Sequence, residues 1–213
     1  LVCGGSMYFF IEPVPEPNTK KSLVEEIDRA HEGGPPVALA HVVNAVSPGI
    51  QIGAHLLVRH DGSTVGTLGD PALDRQSEQE ARSLMPLGMT TFFLSKAGDS
   101  VYVEGFTSPA TLILMGGGHV NRCVARFGKA LGFRILVMDD RPEFANKERF
   151  PEAEEVAVIS YDRGLEPFHV TYNTSIIVAT RGHQYDDVAL AAAARSSARY
   201  VGLIGSKRKT ILI

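Results

Sequence analysis

A glycine-rich turn stands where an apolar run of the chain meets a helical pattern. It consists of Gly116, Gly117, Gly118 and His119. Glycine tolerates the backbone angles of a tight turn and lets a phosphate group approach the main chain closely. The helix expected from Val120 onward would offer free N–H groups and the positive end of its dipole to an anion. The turn therefore predicts phosphate binding.

An acidic cluster follows the next apolar run, residues 134–138. It consists of Asp139 and Asp140, with Arg141 directly after them. In dinucleotide-binding folds an acid roughly 20 residues beyond the glycines holds a ribose hydroxyl, and Asp139 lies close to that offset. Asn121 stands at the third glycine position, so the match is imperfect. We expect a nucleotide-type crevice, undecided between NAD and NADP, and a turn that binds nothing is the alternative.

Two further groups follow later strands. Arg181 and His183 would bring a cation and a titratable donor to an anionic ligand, although a lone histidine is often structural. The second group offers backbone donors, a hydroxyl and cations, which suit a phosphate. The alternative is that this group is only the solvated start of a helix. Its members are Gly205, Ser206, Lys207 and Arg208.

The region from residue 109 to 213 alternates strands and helices, which predicts a parallel sheet covered on both faces, a Rossmann-like α/β domain. Its expected strands are 112–115, 134–138, 156–160, 175–180 and 200–204, with a helix over 186–198. The carboxyl ends of parallel strands meet at one edge, and ligands bind there. All of the groups above would share that edge.

One helix of this domain is expected to pack on the sheet through large apolar residues. Val120, Val124, Phe127 and Leu131 fall at helical spacing, and Cys123 would flank them as a small hydrophobe.

Residues 20–108 read as a smaller α+β domain. A capping box at Ser22 and Glu25 begins a helix, and Gly33 ends it. Strands are expected over 37–43, 54–59, 63–68, 91–94 and 101–106, with a helix over 74–84. Residues 1–19 comprise a short strand, 7–12, and a proline-rich linker.

Composition excludes several classes of function. The formal net charge of −3 provides no basic field for nucleic acid. Apolar runs are strand-sized and shorter than the roughly 20 residues of a membrane span, so we expect a soluble protein. The use of only two cysteines fits the reducing cytoplasm best. Neither Cys3 nor Cys123 belongs to a zinc or disulfide pattern, although Cys3, beside Gly4 and Gly5, is either structural or open to a soft metal. Nucleophile-elbow, Walker and zinc-protease motifs are missing from the sequence, so no catalytic residue is predicted.

The chain resembles the XdhC/CoxI family, accessory proteins of xanthine dehydrogenase and related molybdenum hydroxylases. The most specific of the shared strings is the long one that runs from Asp139 to Asn146. The resemblance rests on Cys3-Gly4-Gly5, Gly116–Val120, Asp139–Asn146, Arg149–Pro151, Thr180–His183 and Tyr200–Lys209.

The resemblance implies a chaperone without turnover of its own. Such a protein binds molybdenum cofactor (molybdopterin), assists its sulfuration and delivers it to apo-xanthine dehydrogenase, to a related hydroxylase or in carbon monoxide dehydrogenase maturation. Cys3 would ligate molybdenum, and the turn at Gly116 or the segment Gly205–Arg208 would hold the phosphate. A cysteine desulfurase and a second copy of the chain are further expected partners. Residues 1–19 would be the tail of a preceding unit, and an NAD(P)-binding oxidoreductase is the alternative function.

Overall fold

The structure is a computed structural model that describes residues 9–11 and 21–205 of the 213-residue chain. These residues form two compact units. The first comprises 9–11, 21–30 and 35–107, and the second comprises 31–34 and 108–205. Each unit contains a five-stranded sheet.

The first unit is an antiparallel sheet with two helices. Its elements are α1 (Lys21–His31), β1 (Val37–Asn44), β2 (His55–Arg59), β3 (Thr64–Gly66), α2 (Pro71–Leu84), a short 3-10 helix (Met85–Leu87), β4 (Thr90–Leu94) and β5 (Ser100–Phe106). The strands are ordered β3-β2-β1-β5-β4. Each expected helix and strand of residues 20–108 is present, with bounds that differ by a few residues.

Side-chain alternation along β1 explains how this sheet is covered. Ala38, Ala40 and Val42 belong to the core that includes residues of α2. Val37 and Leu39 point to the opposite face and pack in a second cluster with residues of α1. Because successive residues of a strand face opposite sides, one strand contributes to both cores.

The second unit is a parallel α/β domain. Its elements are β6 (Thr111–Met115), α3 (His119–Ala130), β7 (Arg134–Asp139), β8 (Glu155–Val158), a 3-10 helix (Tyr161–Arg163), β9 (Thr174–Val178), α4 (His183–Ala194) and β10 (Tyr200–Leu203). All four strand pairings are parallel. The predicted fold class, a Rossmann-like parallel domain after a smaller α+β part, is confirmed.

The strand order of this sheet locates its ligand crevice. The order is β10-β9-β6-β7-β8, so the chain moves outward from β6 through β7 to β8 and then returns to the other side of β6. Such a reversal opens a crevice beyond the carboxyl ends of the two strands that flank it. Here those strands are β6 and β9.

The expected apolar face of α3 is wrong at Phe127 and Leu131. The residues of this helix that are buried are Asn121, Ala125 and Gly128. Phe127 and Leu131 instead have 71% and 77% of their surface exposed. The helix therefore presents small residues to the sheet and large apolar ones to the outside.

Close packing of α3 on the sheet explains this difference. A Cβ added at Gly128 would lie 2.8 Å from Leu112 Cδ2 and 2.9 Å from Ile135 Cδ1. Large side chains do not fit at that separation. Val124 contributes partly buried surface to the same cluster. Cys123 is exposed rather than part of a buried face.

Two expectations concern parts of the chain outside these sheets. Of the strand expected over 7–12, residues 9–11 are described and have no regular secondary structure, and the others lie outside the described residues. Within the described ranges, the helices are all too short or too polar to cross a bilayer.

Candidate functional site

A crevice of about 290 Å³ lies at the carboxyl edge of the second sheet. Six of the predicted site residues line it, on the segments that follow β6, β7 and β9. Its walls are formed by Gly118, His119, Val120, Asp139, Arg141, Phe144, Ala179, Thr180, Arg181 and Ile204.

The three glycines of the turn have different roles. Gly116 has φ +107°, and a Cβ there would collide with the carbonyl oxygen of Ala179. A Cβ at Gly117 would collide with the carbonyl oxygen of Phe144. Gly118 has an ordinary φ of −66°, and a Cβ there meets no described atom within 4 Å beyond its chain neighbours. The first two glycines therefore permit close packing, and the third lies against open space.

Both peptide groups of Gly117 are held by side chains. Its N–H donates to Asp139 Oδ2 at 2.7 Å. Its carbonyl oxygen accepts a hydrogen bond from Arg149 Nε, also at 2.7 Å. The turn is thus fixed from two sides, and its next N–H groups belong to the first turn of α3. Those N–H groups have no acceptor within the helix and are suited to bind an anion.

Asn121 supports the turn from below. The residue is fully buried, and its Nδ2 donates to the carbonyl oxygens of Gly116 at 2.7 Å and Met115 at 3.2 Å. The motif usually has a glycine here so that helix and strand approach closely. In this chain an asparagine occupies the position, and its side-chain amide hydrogen-bonds two backbone carbonyl groups that a glycine could not reach.

Asp139 is buried and bonded to protein donors through both oxygens. Oδ1 accepts hydrogen bonds from the N–H and Nε of Arg141, at 3.1 and 2.9 Å. Oδ2 accepts from Gly117 N–H, Arg141 Nη2 and the Tyr161 hydroxyl. The side chain is only 1% exposed. The carboxylate therefore organises the turn and the segment after β7 from inside the protein.

The ionisation of this cluster follows from burial and hydrogen bonding. Burial alone would raise the pKa of Asp139, but the hydrogen bonds from Arg141 and Gly117 outweigh it and lower that pKa below its usual value. Burial, with the nearby charge of Asp139, raises the pKa of Tyr161. At neutral pH the cluster is therefore a carboxylate held by a guanidinium and a protonated phenol.

The string after Asp139 forms one wall of the crevice. The guanidinium of Arg141 stacks over the Phe144 ring at 3.7 Å, and that of Arg149 lies 5.0 Å from the same ring. Asn146 accepts a hydrogen bond from Arg149 N–H at 2.8 Å and donates to the Pro142 carbonyl oxygen at 3.0 Å. Stacked arginines and an asparagine-closed turn thus place Phe144 against Gly117.

Arg181 forms the opposite rim. Its Nη2 donates to Asp140 Oδ2 at 2.8 Å and to the Tyr185 hydroxyl at 2.9 Å. The guanidinium also lies over the Tyr185 ring, 4.6 Å from its centroid. Thr180, the residue before it, donates from N–H and Oγ1 to Asp186 of α4. These contacts fix the segment between β9 and α4.

Several predicted site residues are not brought into this crevice by the described structure. His183 begins α4, and its side chain is not described. Gly205 is exposed and is the last described residue. Cys3, Gly4, Gly5, Ser206, Lys207 and Arg208 lie outside the described residues. Among the described residues, no group of His, Cys, Asp and Glu is arranged to hold a metal ion.

Reasoning from sequence misses the residues that hold the turn in place. Asn121, Phe144, Arg149 and Tyr161 are not predicted as site residues, although Phe144 and Arg149 lie in strings that carry the family resemblance. In the sequence, Asn121 is only a departure from the glycine motif. Tyr161 has no local signal, because its contact with Asp139 spans 22 residues.

Two family models match the chain. The XdhC Rossmann domain matches residues 112–212, and the XdhC and CoxI family matches residues 30–94. The first match contains the whole described crevice.

Individual proteins are also similar. The chain is 27% identical to the uncharacterised protein YqeB of Escherichia coli K12 over 206 residues, which is 90% of this chain and 38% of that protein. It is 26% identical to a probable xanthine dehydrogenase subunit of Bacillus subtilis over 111 residues, 52% of this chain and 34% of that protein. The chain thus spans well under half the length of these curated relatives.

A solved structure described as a xanthine dehydrogenase from Bacillus halodurans matches with 18% identity and a TM-score of 0.47. The match covers 89% of this chain and 82% of that one. Because the two family models together cover most of the sequence and divide it between the antiparallel and the parallel unit, the chain belongs to the XdhC and CoxI family.

Proposed function

We propose that this chain is part of an accessory protein that binds molybdenum cofactor in the crevice of its parallel domain. In this proposal it assists sulfuration of the cofactor and its insertion into a xanthine dehydrogenase or a related molybdenum hydroxylase. The observation that carries the proposal is the turn with both sides of Gly117 fixed, which opens at Gly118 onto the free N–H groups of α3. Family membership supplies the kind of ligand.

The crevice fits the phosphate end of such a cofactor. Backbone N–H groups at a helix start bind phosphate oxygens, and Arg181 provides a cation on the facing rim. The described volume of about 290 Å³ is at the lower end for a small-molecule site, so these residues would hold only part of the ligand. When bound, the cofactor would supply the molybdenum centre that a client hydroxylase needs. Cys3 remains the proposed thiolate ligand of that metal.

The geometry of Asp139 favours this ligand over NAD(P). A ribose-binding acid needs a carboxylate oxygen free to accept from the sugar hydroxyls. Here both oxygens already accept hydrogen bonds from the protein, and the side chain is almost completely buried. A dinucleotide would have to break those bonds or bind without its usual ribose contact. An NAD(P)-dependent oxidoreductase is therefore the less favoured alternative.

The proposed client is a xanthine dehydrogenase, because one relative is named as a probable subunit of that enzyme. A cysteine desulfurase that supplies sulfur and a homodimeric assembly are proposed on the family resemblance alone.

The experiment is to express the full-length protein together with the cofactor pathway and to measure molybdenum and the fluorescence of oxidised pterin. The same preparation is then added to an apo-hydroxylase. We expect near-stoichiometric pterin and a rise in hydroxylase activity, both reduced in Cys3→Ala. Protein that carries no pterin and activates no hydroxylase contradicts the proposal. If that protein takes up NADPH and transfers its hydride, the oxidoreductase alternative replaces it.

A further inference from the structure

The ion pair between Asp140 and Arg181 joins two strand ends across a third. Asp140 directly follows β7, and Arg181 follows β9 by three residues. The strand β6 lies between β7 and β9 in the sheet, and its end leads into the glycine turn. With Arg181 Nη2 only 2.8 Å from Asp140 Oδ2, the pair spans the end of β6 beside the turn.

Arg181 is the more exposed of the two arginines that line the crevice, and it keeps free hydrogen-bond donors. Arg141 donates from Nε and Nη2 to the two oxygens of Asp139, and this buried carboxylate neutralises it. Within the described residues, the hydrogen bonds of Arg181 all leave from Nη2, so Nε and Nη1 keep their donors. Its side chain is 39% exposed and lines the crevice.

The carboxylate of Asp140 is an anion that already contacts the guanidinium of Arg181. Its side chain is 17% exposed, and its Oδ1 lies 3.6 Å from Arg141 Nε. A phosphate at the start of α3 would bring a second anion to the guanidinium that Asp140 already contacts. Planar guanidinium groups bind phosphate and carboxylate oxygens through the same pairs of donors.

We propose that Arg181 binds the phosphate of the ligand held at the glycine turn, and that Asp140 competes with this phosphate for the same guanidinium. The inference rests on the proposed function, since it requires a phosphate-bearing ligand in the crevice. Asp140 thereby sets how strongly the empty crevice attracts anions. The carboxylate weakens binding of simple anions, and a ligand with further contacts displaces it.

The test is a calorimetric titration of the full-length, cofactor-free protein with inorganic pyrophosphate as the probe. Arg181→Gln is expected to raise the dissociation constant at least about tenfold, because a charge-assisted bond is lost. Asp140→Asn is expected to lower it about two- to fivefold, because a partly exposed competing charge is removed. Arg181→Lys, which keeps the charge and loses the planar donors, should fall between wild type and Arg181→Gln.

The matched controls come from the opposite end of β7. Arg134 and Glu154 form an ion pair with the same 2.8 Å separation at the amino end of that strand. Arg134→Gln and Glu154→Gln should leave pyrophosphate binding unchanged. Melting temperatures of all variants identify any that are misfolded, and Arg181→Lys keeps the test valid if Arg181→Gln is one of them.

The double variant separates competition from a general effect of charge. If both groups act on one phosphate, Asp140→Asn has little effect once Arg181 is Gln. An equal tightening in both backgrounds overturns the competition, and unchanged binding in Arg181→Gln and Arg181→Lys overturns the role of Arg181, while the proposed function stands in both cases. Wild-type protein that binds neither pyrophosphate nor pterin overturns both proposals.

The source of the phosphate is tested on the same variants. Co-purified pterin is measured in one arm, and NADPH is titrated in the other. A loss in Arg181→Gln in either arm supports the assignment and identifies the ligand that carries the phosphate. A loss in neither arm overturns the assignment.

Discussion

At the scale of single residues, the crevice depends on a buried carboxylate and on glycines that permit close contact. Asp139 links the turn after β6 to Arg141 and Tyr161, so one side chain positions three segments. The sequence predicted that Asp139 and the turn would lie together. Its actual bonding partners were not predictable, because the role of the carboxylate depends on which donors the fold brings to it.

Asp139→Asn should destabilise the protein by about 3 kcal/mol, because it leaves Arg141 without its buried partner. Glu154→Gln, which removes the carboxylate of the exposed pair with Arg134, should cost less than about 1 kcal/mol. Urea denaturation followed by circular dichroism measures both. Equal losses in the two variants would show that Asp139 has no special structural role.

The stabilisation by Asp139 should also depend on pH. Because its folded-state pKa lies below the ordinary 3.8, the charged form is favoured by folding. The contribution is complete at neutral pH and is lost as the pH falls through the folded-state pKa, beginning at about pH 5. The difference in unfolding free energy between wild type and Asp139→Asn should therefore shrink on acidification. A difference that stays constant or grows would contradict the assigned shift.

Gly116→Ala tests the need for glycine at the start of the turn. Gly132 is the matched control, because it also has a positive φ, +89°, but no described atom within 4 Å of an added Cβ beyond its chain neighbours. Gly132→Ala should cost about 1 kcal/mol for the backbone angle alone. Gly116→Ala adds the collision with Ala179 and should cost about 2 kcal/mol more. Thermal unfolding measures the difference, and equal costs would refute the close approach.

At the scale of elements, the alternation of strands and helices was predictable, and the orientation of α3 was not. Strands such as β6 and β7 are short, continuous apolar runs, a strong local signal. For α3 the spacing of Phe127 and Leu131 was correct for a helix, but two faces compete for the sheet. The distance between the helix and the sheet decides which face packs. The close contacts around Gly128 show that this distance is short.

Substitutions on the two faces of α3 test this orientation. Phe127→Ala should change the unfolding free energy by no more than about 0.5 kcal/mol, because the ring is mostly exposed. Ala125→Leu should destabilise by about 1–3 kcal/mol, because the fully buried site has no room for a larger side chain. Denaturant titration compares them. A larger loss of unfolding free energy in Phe127→Ala than in Ala125→Leu would show that α3 packs through the face expected from the sequence.

At the scale of the whole molecule, the family match and the two sheets divide the chain in the same way. The match over residues 30–94 covers most of the antiparallel unit, and the match over 112–212 covers the parallel one. The general fold and the place of the crevice follow from the sequence. The contribution of Cys3 and of Ser206, Lys207 and Arg208 to the site stays a prediction, because these residues lie outside the described structure.

The central claim is that the start of α3 binds the phosphate of a pterin cofactor. Gly118 offers a direct test, because it is the N-cap of α3, has an ordinary φ and has open space around an added Cβ. Asp and Asn are both favourable N-cap residues of nearly the same size, so they differ here mainly in charge.

The measurement is the pterin content of full-length wild type, Gly118→Asn and Gly118→Asp, each co-expressed with the cofactor pathway. We predict that Gly118→Asp carries much less pterin than Gly118→Asn, because both side chains can accept hydrogen bonds from the first N–H groups of α3 but only the carboxylate also repels the phosphate. Equal pterin in Gly118→Asp and Gly118→Asn, or wild-type protein without pterin, would contradict the claim.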